Sequence, residues 1–116
     1  MEKLDNKEVE KAKAFSEVEI IDYITDSVVI KKIIKNTTGK ISVVSFDTGE
    51  ELPEETIPFD TFIRIIDGKA EIVIDGISSF LCTGQSIIIP AHTPSIIRAN
   101  ERFKMISTII KSGYED

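Results

Sequence analysis

The sequence predicts a single domain built almost entirely from β-strands. Isoleucine is unusually abundant, and the apolar residues from Val28 onward fall into short β-branched or aromatic runs. Turn-forming pairs such as Thr48-Gly49 and Thr83-Gly84 separate these runs. Branched side chains pack well on a pleated surface, and evenly spaced short strands are typical of a sandwich or barrel. At 116 residues, the chain has the length of one ordinary domain.

Composition and charge narrow the classes of partner. The chain has 14 Lys and Arg residues against 20 Asp and Glu residues, which gives a net charge of −6. An acidic domain repels nucleic-acid phosphates and anionic lipids, so we expect it to bind neither nucleic acid nor membrane. No apolar run approaches the ~20 residues that cross a bilayer, and the charged N-terminus is unlike a signal peptide. The single cysteine, Cys82, excludes an intrachain disulfide, so we expect a cytoplasmic protein.

Residues 1–24 are predicted to form an N-terminal arm. The first fourteen residues are polar and highly charged, which indicates a frayed helix or a mobile segment. Ser16 is followed three residues later by Glu19, and this capping-box pattern predicts a short helical turn from about Ser16 to Tyr23.

Residues 25–112 are predicted to form the β-domain, and residues 113–116 form a C-terminal tail. The predicted strands are VVIKKII, ISVVSF, TFIRII, AEIVI, ISSFL, SIIIP and FKMISTII. Asp67-Gly68 and Asp75-Gly76 each separate two runs, and Asp-Gly tolerates the positive φ of a type I′ hairpin turn. We therefore expect a three-stranded meander around these two turns. No helix of three turns is recognisable after residue 24, which argues against a parallel βαβ architecture.

Two spaced motifs in this region resemble those of the cupin superfamily. The cupin motifs run G-x5-H-x-H-x3,4-E-x6-G and G-x5-P-x-G-x2-H-x3-N. Here the first frame is present from Gly49 to Gly68, and the second begins at Gly84 and reaches Pro90. The resemblance covers roughly Val28 to Ile110 and is to small single-domain bacterial cupins. It implies an RmlC-like jelly-roll barrel, also called a double-stranded β-helix.

The positions that bind metal in this family are changed in the sequence. Within the two frames, the resemblance places Glu55 and Ile57 at the first two histidines, Thr61 at the glutamate and Ser95 at the last histidine. Ile57 has no lone pair to donate, and neutral hydroxyls are poor ligands for a transition metal. The resemblance therefore implies a cavity that persists without a metal or other cofactor.

Strand alternation extends the set of pocket candidates. If Thr61 faces the cavity, then Ile63 faces it too and Arg64 points to the outer surface. The ligand-pocket candidates are Glu55, Ile57, Thr61, Ile63, His92 and Ser95. Core positions are the default for the large apolar residues, among them Phe62, Phe80, Phe103 and Met105. We expect Cys82 to be a buried, inert thiol.

Two features leave alternatives open. Glu55 belongs to an acidic cluster with Glu50, Glu51 and Glu54, which is either a rim that attracts a cation or amine or a solvated loop. Glu55 itself either points into the barrel, where burial raises the pKa of an unpaired carboxyl group, or turns to solvent.

A relocated metal site is the other alternative. His92, the only histidine, could join Glu55 and Asp60 in a site acceptable to Mn, Zn or Fe. However, His92 lies between Pro90 and Pro94, which is typical of a surface turn, and one histidine with scattered carboxylates has no ligand spacing. We therefore predict no metal.

Three classes of function remain. We favour a metal-free domain that binds an unidentified small molecule. The alternative is a cupin enzyme, isomerase-like or dioxygenase-like, that uses relocated ligands or metal-independent acid/base chemistry. Tyr23 and Tyr114, which could serve such chemistry, lie outside the predicted barrel core. The third class is a degenerate barrel kept for interaction or regulation. Small cupins commonly pair through edge strands, so the resemblance also implies a homodimer.

Overall fold

The computed structural model describes residues 1–111 and shows an all-β chain, as predicted. The tail predicted at 113–116, including Tyr114, lies outside the described residues. Within residues 1–111 the strands are β1 (Glu2–Asp5), β2 (Val28–Asn36), β3 (Gly39–Phe46), β4 (Glu51–Ile57), β5 (Thr61–Ile74), β6 (Ile77–Cys82), β7 (Ser86–Ile89), β8 (Thr93–Arg98) and β9 (Phe103–Ile110). This part of the chain contains no helix long and apolar enough to cross a membrane.

The strands form a curled sheet whose two halves share β5. The larger half, called here the larger sheet, contains β1, β2, β3, β9, the first part of β5 and β7. The smaller sheet contains β4, β8, the second part of β5 and β6. All of these pairs are antiparallel except β1 with β2. The apolar core lies between the inner faces of the two sheets.

β5 passes from one sheet to the other at Gly68. The register of β5 with β9 shifts between Ile65 and Asp67, and Gly68 has a φ of 87°. Asp67-Gly68 is therefore a bulge inside one strand of 14 residues, and the predicted three-stranded meander is wrong. The positive φ that Asp-Gly tolerates suits a bulge as well as a hairpin turn. The second predicted hairpin, at Asp75-Gly76, is confirmed between β5 and β6.

The strands β1, β4 and β8 were not among those predicted. β4 is rich in glutamate and contains Pro53, which normally argues against a strand. It lies at the end of the strand order and pairs with β8, with a register shift between Leu52 and Glu55. Proline is tolerated at such an edge or bulge because its missing N–H is not needed by a neighbouring strand.

The N-terminal arm is a strand followed by a loop and not a helix. β1 pairs in parallel with the start of β2. The helical turn predicted near Ser16 is not seen: the Ser16 carbonyl accepts hydrogen bonds from the Glu19 and Ile20 amides, which closes one isolated turn. A single turn forms too few hydrogen bonds to offset the cost of starting a helix. The residue that follows, Ile21, is buried against the outer face of the larger sheet.

Side-chain contacts fix this arm to its own barrel. The Tyr23 hydroxyl donates a hydrogen bond of 2.6 Å to an oxygen of Asp67, next to the bulge in β5. Burial and this hydrogen bond raise the pKa of Tyr23. Arg64 forms an ion pair with Glu17 at 3.0 Å, which confirms that Arg64 lies on the outer surface. The arm therefore covers one end of the larger sheet's outer face.

Alternation decides which large side chains enter the core. Phe103 and Met105 are buried as expected, and the Phe103 ring stacks on Phe46 at 4.4 Å. Phe62 and Phe80 are exposed, because each alternates with inward-facing neighbours on its strand. Cys82 is also exposed, contrary to expectation, since the preceding Leu81 takes the inward position and is buried.

Candidate functional site

A cavity of about 150 Å³ lies between the two sheets. It occupies the end of the barrel away from the stacked Phe46 and Phe103 rings, which are buried in the core beyond its inner end, called here the base. Inward-facing side chains from both sheets form its wall. The curled sheet therefore leaves one end of its interior unfilled.

Two strands of the cavity wall, one from each sheet, carry polar side chains near the mouth and apolar ones toward the base, because alternate residues of each strand face inward. β9 does not follow this order, since Ile109 lies in the same row as Lys40. From mouth to base, the lining residues of β3 are Lys40, Ser42 and Val44, and those of β8 are Thr93, Ser95 and Ile97. The cavity can thus accept a molecule with an apolar body and a polar end near the mouth.

Most of the predicted pocket residues meet in this cavity. Glu55, Ile57, Thr61, Ile63 and Ser95 all contribute to its wall. His92 does not: it is exposed in the turn between β7 and β8, with a φ of 62°. The arrangement is compatible with a pocket role for the first five residues, and that role stays a prediction.

Glu55 lies at the rim of the cavity. It contributes to the cavity wall and yet remains exposed, so it combines features of the two expected orientations, into the barrel and toward solvent. In the pairing of β4 with β8 it stands opposite Ser95, which is buried. Its carboxylate can therefore contact both solvent and a molecule that enters the mouth.

Two buried hydroxyl groups in the wall have no hydrogen-bond partner among the described residues. They are Ser42 Oγ and Thr61 Oγ1, on side chains that are 4% and 6% exposed. A buried polar group without a partner costs about 1–3 kcal/mol of stability. Both residues line the cavity, so a polar atom of a bound molecule or an ordered water could satisfy them.

Lys40 carries a positive charge at the mouth. Burial lowers the pKa of Lys40, and so do the nearby ammonium groups of Lys111, Lys32 and Lys35, while the Glu55 carboxylate acts in the opposite direction. Sequence reasoning missed Lys40 and Ser42 because both lie on β3, outside the two motif frames. Their alternation with Ile41 and Val43 along β3 is the signal that could have found them.

The cavity residues do not fit a metal of the kind that the cupin family implies. The four positions taken from the motifs supply one carboxylate, two neutral hydroxyls and one alkyl group, and a transition metal needs more and better donors. Among residues 1–111, no three His, Cys, Asp or Glu side chains are grouped so that they could hold a metal ion. The relocated set of Glu55, Asp60 and His92 is therefore not assembled. An Asp60 oxygen instead accepts a hydrogen bond from the Ala91 amide at 2.9 Å.

Comparison with known proteins identifies the fold. No family model and no curated protein matches the sequence. A conserved Streptococcus pyogenes protein of unknown function, SPY1581, is 29% identical with a TM-score of 0.85, over 89% of this chain and 90% of that chain. A cupin superfamily protein from Desulfitobacterium hafniense is 25% identical with a TM-score of 0.83, over 91% and 97% of the two chains. The chain has a cupin fold. An RmlC-like cupin from Shewanella frigidimarina shares this fold at 18% identity, with a TM-score of 0.74 and coverage of 90% and 94%.

The unpartnered hydroxyl of Thr61 leads to a prediction about stability. Replacing Thr61 with valine keeps the shape of the side chain and removes the buried hydroxyl, so the free energy of unfolding should rise by about 1 kcal/mol. Urea denaturation of the ligand-free protein measures this change. The control is Thr56→Val, at an exposed position of β4 outside the cavity wall, which should change stability by less than about 0.5 kcal/mol. A loss of stability in Thr61→Val beyond that of the control would show that the hydroxyl is bonded in the folded protein.

Proposed function

We propose that this cupin-fold chain is a metal-free domain that binds a small molecule between its two sheets. The observation that carries the proposal is the pair of buried hydroxyls, Ser42 and Thr61, that face the cavity without partners. Buried polar groups in folded proteins are normally hydrogen-bonded. A mostly apolar cavity with a few convergent polar groups is the usual form of a small-molecule site.

The size of the cavity limits the ligand. Its volume of about 150 Å³ is well below the ~300–1,000 Å³ of pockets that enclose drug-sized molecules. An engineered apolar cavity of about 150 Å³ in another protein binds benzene. The enclosed part of the ligand is therefore about the size of benzene or a short branched alkyl chain, and any larger part extends through the mouth.

Filling the cavity should weaken binding strongly. Ser95 is buried in the cavity wall, and leucine at this position would place three additional carbon atoms in the ligand space. We expect Ser95→Leu to weaken binding of small apolar and amphipathic fragments by about tenfold or more, as measured by ligand-observed NMR. Ser86→Leu is the matched control, because Ser86 is exposed on β7 and should retain binding. Equal binding by Ser95→Leu and wild type, or no binding by wild type, would refute the proposed site.

One observation favours a second candidate, a cupin enzyme with metal-independent acid/base chemistry. Lys40 and Glu55 both line the mouth of the cavity, and burial and neighbouring lysines lower the pKa of Lys40, so an amine and a carboxylate lie where a bound molecule could exchange a proton with them. A binding domain needs only the hydroxyls and the apolar wall. An enzyme would in addition turn over a molecule bound beside these two side chains.

Metal loading distinguishes these proposals from a metalloenzyme with relocated ligands. Protein stripped with a chelator and then incubated with Mn²⁺, Fe²⁺, Ni²⁺ or Zn²⁺ should retain well under one equivalent after desalting, because the cavity offers a single carboxylate and neutral hydroxyls. Plasma mass spectrometry measures the retained metal. The control is His92→Ala, which should retain the same small amount. Stoichiometric metal in wild type that is lost in His92→Ala would instead establish a relocated site.

We also propose that two copies pair through the uncovered end of the larger sheet's outer face. An apolar row crosses five strands there and consists of Ile34, Ile41, Thr108, Phe62 and Ile88. Ile88 is 61% exposed and Phe62 is 37% exposed, while the N-terminal arm covers only the other end of this face. An exposed apolar patch of this kind on a β-sheet is a common site of self-association.

Charge on the apolar row should separate the copies. Phe62→Glu combined with Ile88→Glu places two carboxylates opposite each other, so we expect a dimeric wild type and a monomeric variant in sedimentation velocity. Ile77→Glu is the control, because Ile77 is even more exposed than Phe62 and Ile88 but lies on the smaller sheet in the β5–β6 hairpin. A monomeric wild type at about 100 μM would contradict the pairing.

A further inference from the structure

A lysine at the mouth of the cavity has other lysines nearby, although the chain as a whole is acidic. Lys32, Lys35 and Lys111 are close enough to Lys40 to lower its pKa. Lys111 Nζ lies 5.9 Å from the centre of the Phe59 ring, which forms part of the cavity wall. Of these four lysines Lys40 lines the cavity, and the other three add positive potential at its ammonium group although the net charge of the whole sequence is −6.

The ammonium group of Lys40 forms no ion pair or side-chain hydrogen bond within residues 1–111. Glu55, also at the mouth, influences Lys40 electrostatically but does not pair with it. Glu51 on the same strand is instead 3.5 Å from Arg98. A half-buried cation without a counter-ion has lost part of its hydration and gains most from an anion that enters the cavity.

The register of the larger sheet places hydroxyl groups beside this cation. Lys40 pairs with Ile109, and Ile109 pairs with Thr61, so Lys40 and Thr61 lie in one row across the cavity wall. Ser42 is the next inward-facing residue of β3, roughly 7 Å deeper at ~3.3 Å per residue. An ammonium group and two unpartnered hydroxyls therefore face the same part of the cavity.

We propose that the ligand is a small apolar carboxylic acid whose carboxylate binds Lys40 and a neighbouring hydroxyl. Its hydrocarbon body lies deeper, against Val44, Ile63 and Ile97. This inference rests on the proposed function and names the class of molecule that the cavity takes. A monoanion matches the single ammonium group in the cavity wall, whereas an amine would be repelled by Lys40 and by the positive potential of its neighbouring lysines.

Three probes of nearly the same shape test the charge of the ligand. NMR titrations of the full chain with 3-methylbutanoate, 3-methylbutanamide and 3-methylbutylamine should give the tightest binding for the acid, by about tenfold over the amide. The amine should bind more weakly than the amide. The same series built on phenylacetate checks an aromatic body of similar volume.

Variants of one lysine test the location of the carboxylate. Lys40→Met keeps the aliphatic stem and should weaken binding of the acid by about tenfold while leaving binding of the amide unchanged. Lys40→Arg retains the charge and should retain the preference for the acid. Lys69→Met makes the same change in net charge on an exposed residue next to the bulge in β5, and it should bind the acid like wild type.

The outcomes separate this inference from the proposed function. Equal binding of acid and amide by wild type, or tight binding of the acid by Lys40→Met, overturns the inference and leaves a small-molecule site in place. If none of the probes binds, but other fragments bind to wild type and not to Ser95→Leu, only the inference is overturned. Failure of the probes together with every fragment overturns both. The full pattern of acid preference, its loss in Lys40→Met and its survival in Lys69→Met supports the inference.

Discussion

The bend of β5 at Gly68 is the constraint on which the rest of the structure depends. β5 pairs with β9 and β7 before the bend and with β6 and β8 after it, so this strand joins the two sheets. A Cβ atom at Gly68 would collide with the carbonyl of Arg102 and crowd Phe103, so the packing requires glycine there in addition to the positive φ. Because of this bend, the inner faces of the sheets oppose each other and a cavity can exist between them.

The inward-facing positions of the strands carry different kinds of side chain at the two ends of the barrel. At the base, Phe46, Phe103 and Met105 are buried between the sheets, and the two rings stack on each other. At the mouth, the corresponding inward positions carry smaller or polar side chains such as Ser42 and Thr61, which leave a volume and two unsatisfied hydroxyls. A chain selected for stability alone would fill that volume with apolar groups. The unfilled volume and the unsatisfied hydroxyls at the mouth lower the stability of the fold, and this cost is the strongest physical argument that the mouth has a function.

Local patterns in the sequence predicted the parts of the fold that depend on local geometry. Alternation correctly assigned Ile63 inward and Arg64 outward, and motif spacing predicted the cupin fold. The prediction was wrong where the conformation of a segment depends on a contact with residues that are distant in the sequence. Asp67-Gly68 has the local properties of a hairpin, and only its packing against Arg102 makes it a bulge. Likewise, β4 with Pro53 is a strand because β8 lies beside it. The contribution of Lys40 to the cavity follows from the pairing of β3 with β9, which no short motif specifies.

The proposed ligand depends on charge at the scale of a few ångströms and not on net charge. The value of −6, and the glutamates around Glu55, favour cations or amines as ligands of the domain as a whole. Around Lys40 the strand register reverses this preference for cations. It brings β3 close to Lys111, the residue after β9, and Lys111, Lys32 and Lys35 then add positive potential at Lys40. In a cupin that holds a metal, the ion is the main positive charge in the barrel. With Ile57, Thr61 and Ser95 at three of the four positions that the cupin motifs assign to metal ligands, the role proposed for Lys40 is to supply the positive charge that a bound carboxylate needs.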